Sequence, residues 1–135
     1  MKLTLRQIYG KDRKLVTEGF EYKIPNSNVV FKLRQYDSIL NEQLTKEAAN
    51  KEFRPYSKKL EDGSLSSEKQ LEIAVRVFVT VSLVSWSGVV DDNGQDIPFT
   101  VDNAVKILCE YEDLFKELIR QAKDSRNYLE SMGND

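Results

Sequence analysis

The clearest pattern in the chain is a period-two alternation over residues 20–34. Phe20, Tyr22 and Ile24 alternate with charged residues, and Pro25-Asn26-Ser27-Asn28 supplies turn chemistry. Val29, Phe31 and Leu33 then alternate again, with Lys32 and Arg34 on the opposite face. Alternation on both sides of a four-residue polar loop predicts a β-hairpin with one apolar face. Such a hairpin is marginal alone in water, so that face must cover a helix or a partner. Residues 1–19 fit no such pattern. Leu3 and Leu5 alternate like a strand, whereas Lys11 to Lys14 are too charged to pack, which leaves room for a frayed or partner-dependent arm.

Helical spacing takes over after the hairpin. Asp37 is placed to cap a helix carrying Leu40, Leu44 and Ala48, limited by Pro55 and followed by an Asp62-Gly63-Ser64 loop. The stretch from Ser67 to Trp86 supports two readings. Ile73, Val75, Val77, Val79, Val81 and Leu83 alternate like a buried strand and are rich in β-branched residues. Against this, Ser67-x-x-Gln70 fits a capping box, and the stretch far exceeds the ~5–6 residues of an ordinary strand. The helix is preferred, and an apolar surface nearly all round makes it central. Thr100 then caps a last helical region with Asp102 in its first turn. There Ala104, Leu108, Tyr111, Phe115, Leu118 and Ala122 recur at four- and three-residue spacing, as one amphipathic helix or two broken near Glu110 to Asp113. This stripe is an intramolecular seam unless the chain leaves it uncovered, in which case it would pair between molecules. The expected fold class is therefore mostly α with a small N-terminal β-hairpin. It forms a compact helical domain, 1–135, with an arm (1–19), the hairpin (20–34) and a helical body (37–130).

Composition narrows the chemistry. With 40% hydrophobic and 31% charged residues, the chain reads as a soluble globular domain. The apolar run Ile73 to Trp86 contains Arg76 and is shorter than the ~20 residues of a membrane span, and no secretory signal leads the chain. The single Cys109 excludes an intramolecular disulfide and suits a reducing compartment. There is no histidine, which removes the usual general base and the commonest metal ligand. Charge is uneven: residues 1–60 hold 13 Lys/Arg against 7 Asp/Glu, and residues 61–135 hold 7 against 15. This is either ordinary solvated surface or a pair of complementary ends suited to head-to-tail association.

Constellations that could carry catalysis are missing. In Asp91-Asp92-Asn93-Gly94-Gln95-Asp96 the glycine falls at the wrong place for a calcium loop, and an Asn93-Gly94 turn between Val89-Val90 and Ile97-Phe99 accounts for the residues. Glu110, Glu112 and Asp113 sit where a polar helix face or a cap would sit, no serine has a base partner, and the glycines are scattered singly. Cys109 lies near the apolar stripe as a core residue. Lys32, Arg34, Arg54, Lys58 and Lys59 could meet a phosphate backbone, but no basic recognition helix accompanies them and the second half is acidic. No enzyme, cofactor or metal is expected, and nucleic acid is a minor alternative.

The segment Trp86-Ser-Gly-Val-Val-Asp-Asp-Asn-Gly-Gln-Asp-Ile-Pro-Phe-Thr-Val-Asp-Asn-Ala resembles the characteristic segment of phage tail assembly chaperones. In that family an apolar helix ends at a Trp-x-Gly-Val-type motif. An acidic Gly-containing turn, a Pro-Phe or Pro-Tyr pair and a capped helix follow. The matching positions are Trp86, Gly88, Val89, Asp92, Gly94, Pro98, Phe99, Thr100 and Asn103. Ile24-Pro25, Phe31 to Arg34 and Asp113-Leu114 extend the likeness over residues 20–130. The resemblance implies a late protein of the infected or lysogenic host cytoplasm, absent from the mature virion. It would self-associate, keep the tape measure protein soluble and help recruit major tail tube subunits. Apart from the family's signature, Phe20, Tyr22, Phe31, Leu108, Tyr111, Phe115 and Leu118 are the candidate protein-binding positions. The alternatives are a structural tail or head-completion protein retained in the virion, or a nucleic-acid-binding regulator.

Overall fold

The computed structural model describes residues 2–131. The hairpin forms as expected: β1 (Phe20–Lys23) pairs antiparallel with β2 (Val30–Leu33), Phe20 opposite Leu33 and Lys23 opposite Val30. Ser27 closes the turn, its hydroxyl donating to the Ile24 carbonyl at 2.8 Å and accepting from the Val29 amide at 3.1 Å.

A third strand corrects the reading of residues 67–86 as one helix. α5 (Ser67–Val81) stops at Val81, and β3 (Leu83–Ser87) turns back to pair antiparallel with β2, Val30 opposite Ser87 and Phe31 opposite Trp86. The β-branched run thus satisfies both patterns in succession. Its helical part spends Ile73, Val75, Val77, Phe78, Val79 and Val81 on the core. Its last residues meet the free edge of β2, a partner that local spacing does not disclose. Arg34 fixes the changeover. Its amide donates to the Ser82 carbonyl at 2.8 Å, and its guanidinium to the carbonyls of Val81 and Thr17. A cation at the negative end of two helices is well placed.

Two caps also differ from expectation. Asp37 has a left-handed backbone, φ 66°, and pairs with Lys123 instead of capping. Ser38 caps a short 3-10 turn at Ile39–Asn41, and α3 (Glu42–Phe53) follows. At α5 the cap is Ser66, accepting from the Lys69 amide at 3.1 Å, while Gln70 reaches back to the Leu65 carbonyl. A further 3-10 turn with Pro55 leads into α4 (Ser57–Glu61). In the predicted α3 stripe only Ala48 is buried, against Val77 and Val81; Leu40 and Leu44 remain about two-fifths exposed.

The last region is two helices. Thr100 caps α6 (Val101–Glu110) by accepting from the Asn103 amide at 3.0 Å, and Tyr111 breaks the axis before α7 (Glu112–Lys123). Phe31 and Leu33 from the sheet, Val75, Phe78 and Val79 from α5, Leu108 from α6 and Phe115, Leu118 and Ala122 from α7 close one core. Each fully buried aliphatic or aromatic side chain there is worth roughly 1.5–3 kcal/mol.

Residues 2–19 form two short helices, not a strand: α1 (Leu5–Tyr9) and α2 (Arg13–Glu18). α2 packs firmly despite its charges. Val16 is fully buried, the Asp12 amide donates to the Tyr128 carbonyl at 2.7 Å, and the Glu130 amide to the Gly10 carbonyl at 2.8 Å. Buried Asn41 donates from its amide nitrogen to the carbonyls of Val16 and Gln35, both at 2.9 Å. Buried Gln35 accepts from Lys11 and donates to Ser125. Tyr128, also fully buried, donates to the Leu33 carbonyl at 3.0 Å and meets Phe20 edge to face. Burial pushes its phenol pKa far up, so it remains a donor.

Candidate functional site

The segment from Trp86 to Asn103 begins inside the sheet. Trp86 stands opposite Phe31 and donates from its indole nitrogen to the Ile97 carbonyl at 2.8 Å. Its ring meets Phe31 and Phe99 edge to face, at 6.2 and 5.2 Å between centroids. An aromatic with an apolar body and one polar handle thereby joins sheet, loop and the approach to α6. It anchors the loop as expected, but from a strand and not from a helix end.

The loop is a small hairpin of its own. Val90 bridges Asp96, and the Ile97 amide donates to the Val89 carbonyl at 2.9 Å. Asp91 holds the turn, its carboxylate accepting from the amides of Asn93 and Gln95 at 2.9 and 3.0 Å. Asp92, which the motif singled out, is exposed. Gly88 and Gly94 both have positive φ, 76° and 78°, for different reasons. A side chain on Gly88 would stand 2.1 Å from the Asn28 carbonyl oxygen, whereas one on Gly94 would enter open space. Gly88 is thus required by close packing on the first hairpin, and Gly94 by the turn alone. Asn103 completes the segment by donating from its side chain to the Pro98 carbonyl at 2.9 Å.

Loop, hairpin turn and last two helices enclose an open groove of about 600 Å³. Ile24, Val29 and Phe31 form one wall, Val89, Val90 and Ile97 another, and Ile107, Tyr111 and Leu114 the third. Its rim is acidic. Asp91, Asp92 and Glu110 lie along it with Lys106 as the base, and Glu112 and Asp113 continue it past Tyr111. Apolar walls with a few charges at the lip suit an amphipathic protein segment. Val90 and Tyr111 are about half exposed there, 49% and 54%.

The candidate binding positions separate accordingly. Phe31, Leu108, Phe115 and Leu118 are buried in the chain's own core, which corrects their assignment to a partner surface: the stripe is covered by the sheet and α5. Phe31 still contributes an edge to the groove. Phe20 and Tyr22 are half-buried, and Tyr22 is tied to α7, its hydroxyl donating to Glu117 at 2.8 Å. Burial, and then that contact, pushes the Tyr22 pKa up. Glu117 also accepts from Arg120 and Gln121, and these bonds, Arg120 first, hold its carboxyl down at about 2. Tyr111 is the one of the seven that projects to solvent. Spacing does not single out the groove residues Val90, Ile107 and Leu114; an acid beside Val90 (Asp91) and beside Leu114 (Asp113) is the available signal, and Ile107 has none. Cys109 is half-buried, with its thiol pKa pushed up chiefly by burial, so it is held as a thiol and not as a nucleophilic thiolate.

Among the described residues, no three or more Cys, Asp or Glu side chains are grouped to hold a metal ion, and no helix is long and apolar enough to cross a membrane. No curated protein and no solved structure matches the chain. Residues 40–134 match the family described as YdaY prophage protein, a span that includes α3 to α7, β3 and two of the three groove walls. That match extends over more than half of the sequence, and the chain belongs to the YdaY prophage protein family.

Proposed function

We propose that this prophage protein is a tail assembly chaperone, which self-associates and binds the tape measure protein through the groove between hairpin, loop and last helices. The observation that carries the reading is the groove itself: the Trp86–Asn103 segment, similar to the signature of tail assembly chaperones, builds one of its walls. Prophage membership supports the setting. The groove's chemistry supports the client class, because tape measure proteins are long and helical, and an apolar cleft receives the apolar face of a helix. The protein would act in the host cytoplasm, shielding such segments until tail tube subunits arrive, without a cofactor or a catalytic step. Co-expression with the tape measure protein of the same prophage should raise that protein's soluble fraction severalfold. A Val90→Asp variant, charged at an exposed point of the groove wall, should lose the effect while remaining folded. Unchanged client solubility with the wild-type chain would overturn the proposal. Recovery of the protein in purified virions would favour the reading as a retained structural component.

A further inference from the structure

Two features of the surface are complementary and lie at opposite ends of the sheet. The first is α1. Leu5, Ile8 and Tyr9 share one face of this helix at i, i+3 and i+4, and stand 74%, 41% and 73% exposed; Leu3 before them is 53% exposed. No residue of α1 is buried, although Thr4 and Gln7 close a complete capping box around it. A five-residue helix gains too little from its own hydrogen bonds to persist without a surface to pack against. The segment is also basic: Lys2, Arg6, Lys11, Arg13 and Lys14 are all exposed, with Asp12 the sole acid between residues 2 and 14. The second feature is the apolar groove with its acidic rim. Among the described residues, Glu112 is the rim acid paired with a base, to Lys116 at 3.4 Å.

We infer that α1 of one molecule docks in the groove of a second copy, with Leu5, Ile8 and Tyr9 against the apolar walls and Lys2, Arg13 and Lys14 facing Asp91, Asp92, Glu110 and Asp113. The geometry sets the direction. The leading segment is held at the open end of the first hairpin, where Phe20 meets Tyr128, the Gly10 carbonyl takes the Glu130 amide and Arg6 pairs with Glu130 at 2.9 Å. The groove lies at the turn end, beside Ile24 and Val29. Four strand residues separate the two ends, roughly 13 Å at the usual rise of a strand. A ligand at one end and its receptor at the other give head-to-tail association, which continues into chains or closes into rings. This deepens the self-association within the proposed chaperone function by naming its interface, and it makes the neighbour's α1 a competitor of the client for one groove.

The test is the size of the full-length protein in solution, by light scattering and sedimentation over a range of concentrations. The wild type should form oligomers that grow with concentration and weaken severalfold as salt screens the charged rim. Leu5→Asp combined with Tyr9→Asp, in the helix, and Tyr111→Asp, in the groove, should each weaken association at least tenfold. All three residues are exposed, so melting temperatures should stay at the wild-type value. The two variants mixed should form a heterodimer, because one retains a sound groove and the other a sound helix. Ile39→Asp, at an exposed apolar residue outside both features, should associate like the wild type. A wild type that stays monomeric, variants that associate normally, a mixture that fails to pair, or loss of association in Ile39→Asp would each overturn the inference. The reading of the groove as a client site is tested separately, by co-expression of the wild-type chain with the tape measure protein.

Discussion

The two ends of the first hairpin are built from similar strands and finished in opposite ways. At the open end, chain segments distant in sequence converge, and their buried polar groups are joined: Asn41 to Val16 and Gln35, Gln35 to Lys11 and Ser125, Tyr128 to Leu33. At the turn end, Trp86 and Gly88 bind the second loop tightly to the first, and the space beyond is left as an apolar groove. A buried amide or hydroxyl without a partner costs about 1–3 kcal/mol, so the network at the open end specifies one arrangement of its segments. The groove walls rest on the same core, but their exposed apolar surface is a cost to an isolated molecule and an asset to one that binds. Polar density marks where this fold is determined, and apolar exposure marks where binding is proposed.

The largest expected effect tests the groove's foundation. Trp86→Ala should lower the free energy of unfolding by about 3 kcal/mol, the low end for a large aromatic because Trp86 is only partly buried. The change removes two aromatic contacts and leaves the Ile97 carbonyl without its donor. Urea titration followed by circular dichroism measures it. A loss below about 1 kcal/mol would show that loop and sheet hold together without the indole.

The corresponding change at the open end is Asn41→Ala. It removes the side-chain donor from the carbonyls of Val16 and Gln35, the first of which keeps the Gln35 amide at 3.1 Å, for an expected loss of about 2 kcal/mol in the same titration. Amide exchange should quicken in residues 12–19 while the groove loop is unaffected. Uniform acceleration would break the contrast between the two ends.

How these regions could be read from the sequence differs for physical reasons. The hairpin at 20–33, the turn at Asn93-Gly94, the Thr100 cap and the break beside Tyr111 are set by local chemistry, and spacing and turn residues disclosed them. β3 was hidden because a β-branched run meets helix and strand templates alike, and the free edge of β2 decides between them. Packing of residues 10–19 was hidden because it depends on the backbone of Tyr128 and Glu130, more than a hundred residues away. Apolar spacing locates the seam of α6 and α7 but not its cover, so it does not disclose that the sheet and α5 bury Leu108, Phe115 and Leu118. Asp91 and Asp92 are indistinguishable by composition; only the turn geometry gives Asp91 the two amides. The groove combines walls from three separated stretches, and no single stretch reveals it.

A smaller effect concerns the tie between α7 and β1, midway between the two ends. Glu117 has a folded-state pKa of about 2, below the ~4.3 of a free glutamate, because Arg120, Gln121 and Tyr22 donate to it. A depressed carboxyl contributes stability that is present above the unfolded value and lost as pH falls through the folded one, here between about pH 5 and 2. The carboxylate is partly exposed, so the loss should stay below about 1 kcal/mol. Glu117→Gln should flatten the acid limb of a stability–pH curve in that window without abolishing it, since Asp124, held at about 2 by Arg126, titrates there too. An acid limb as steep as that of the wild type would show that the tie does not couple protonation to folding.

The smallest effect is the most pointed test of the open end. Ser82 is fully buried where α5 gives way to β3, and among the described residues its hydroxyl is the buried side-chain polar atom without a hydrogen-bond partner. Its backbone is already employed, the amide donating to Phe78 and the carbonyl accepting from Arg34. Removing an unpartnered buried hydroxyl relieves a desolvation cost and leaves a void smaller than a methyl group, so the two terms oppose each other. Ser82→Ala should therefore change stability by no more than about 0.5 kcal/mol or raise it slightly. Thermal melting of the variant beside the wild type decides the point. A loss above about 1 kcal/mol would mean that the hydroxyl has a partner, such as a buried water, and that the polar network extends through Ser82 toward the groove.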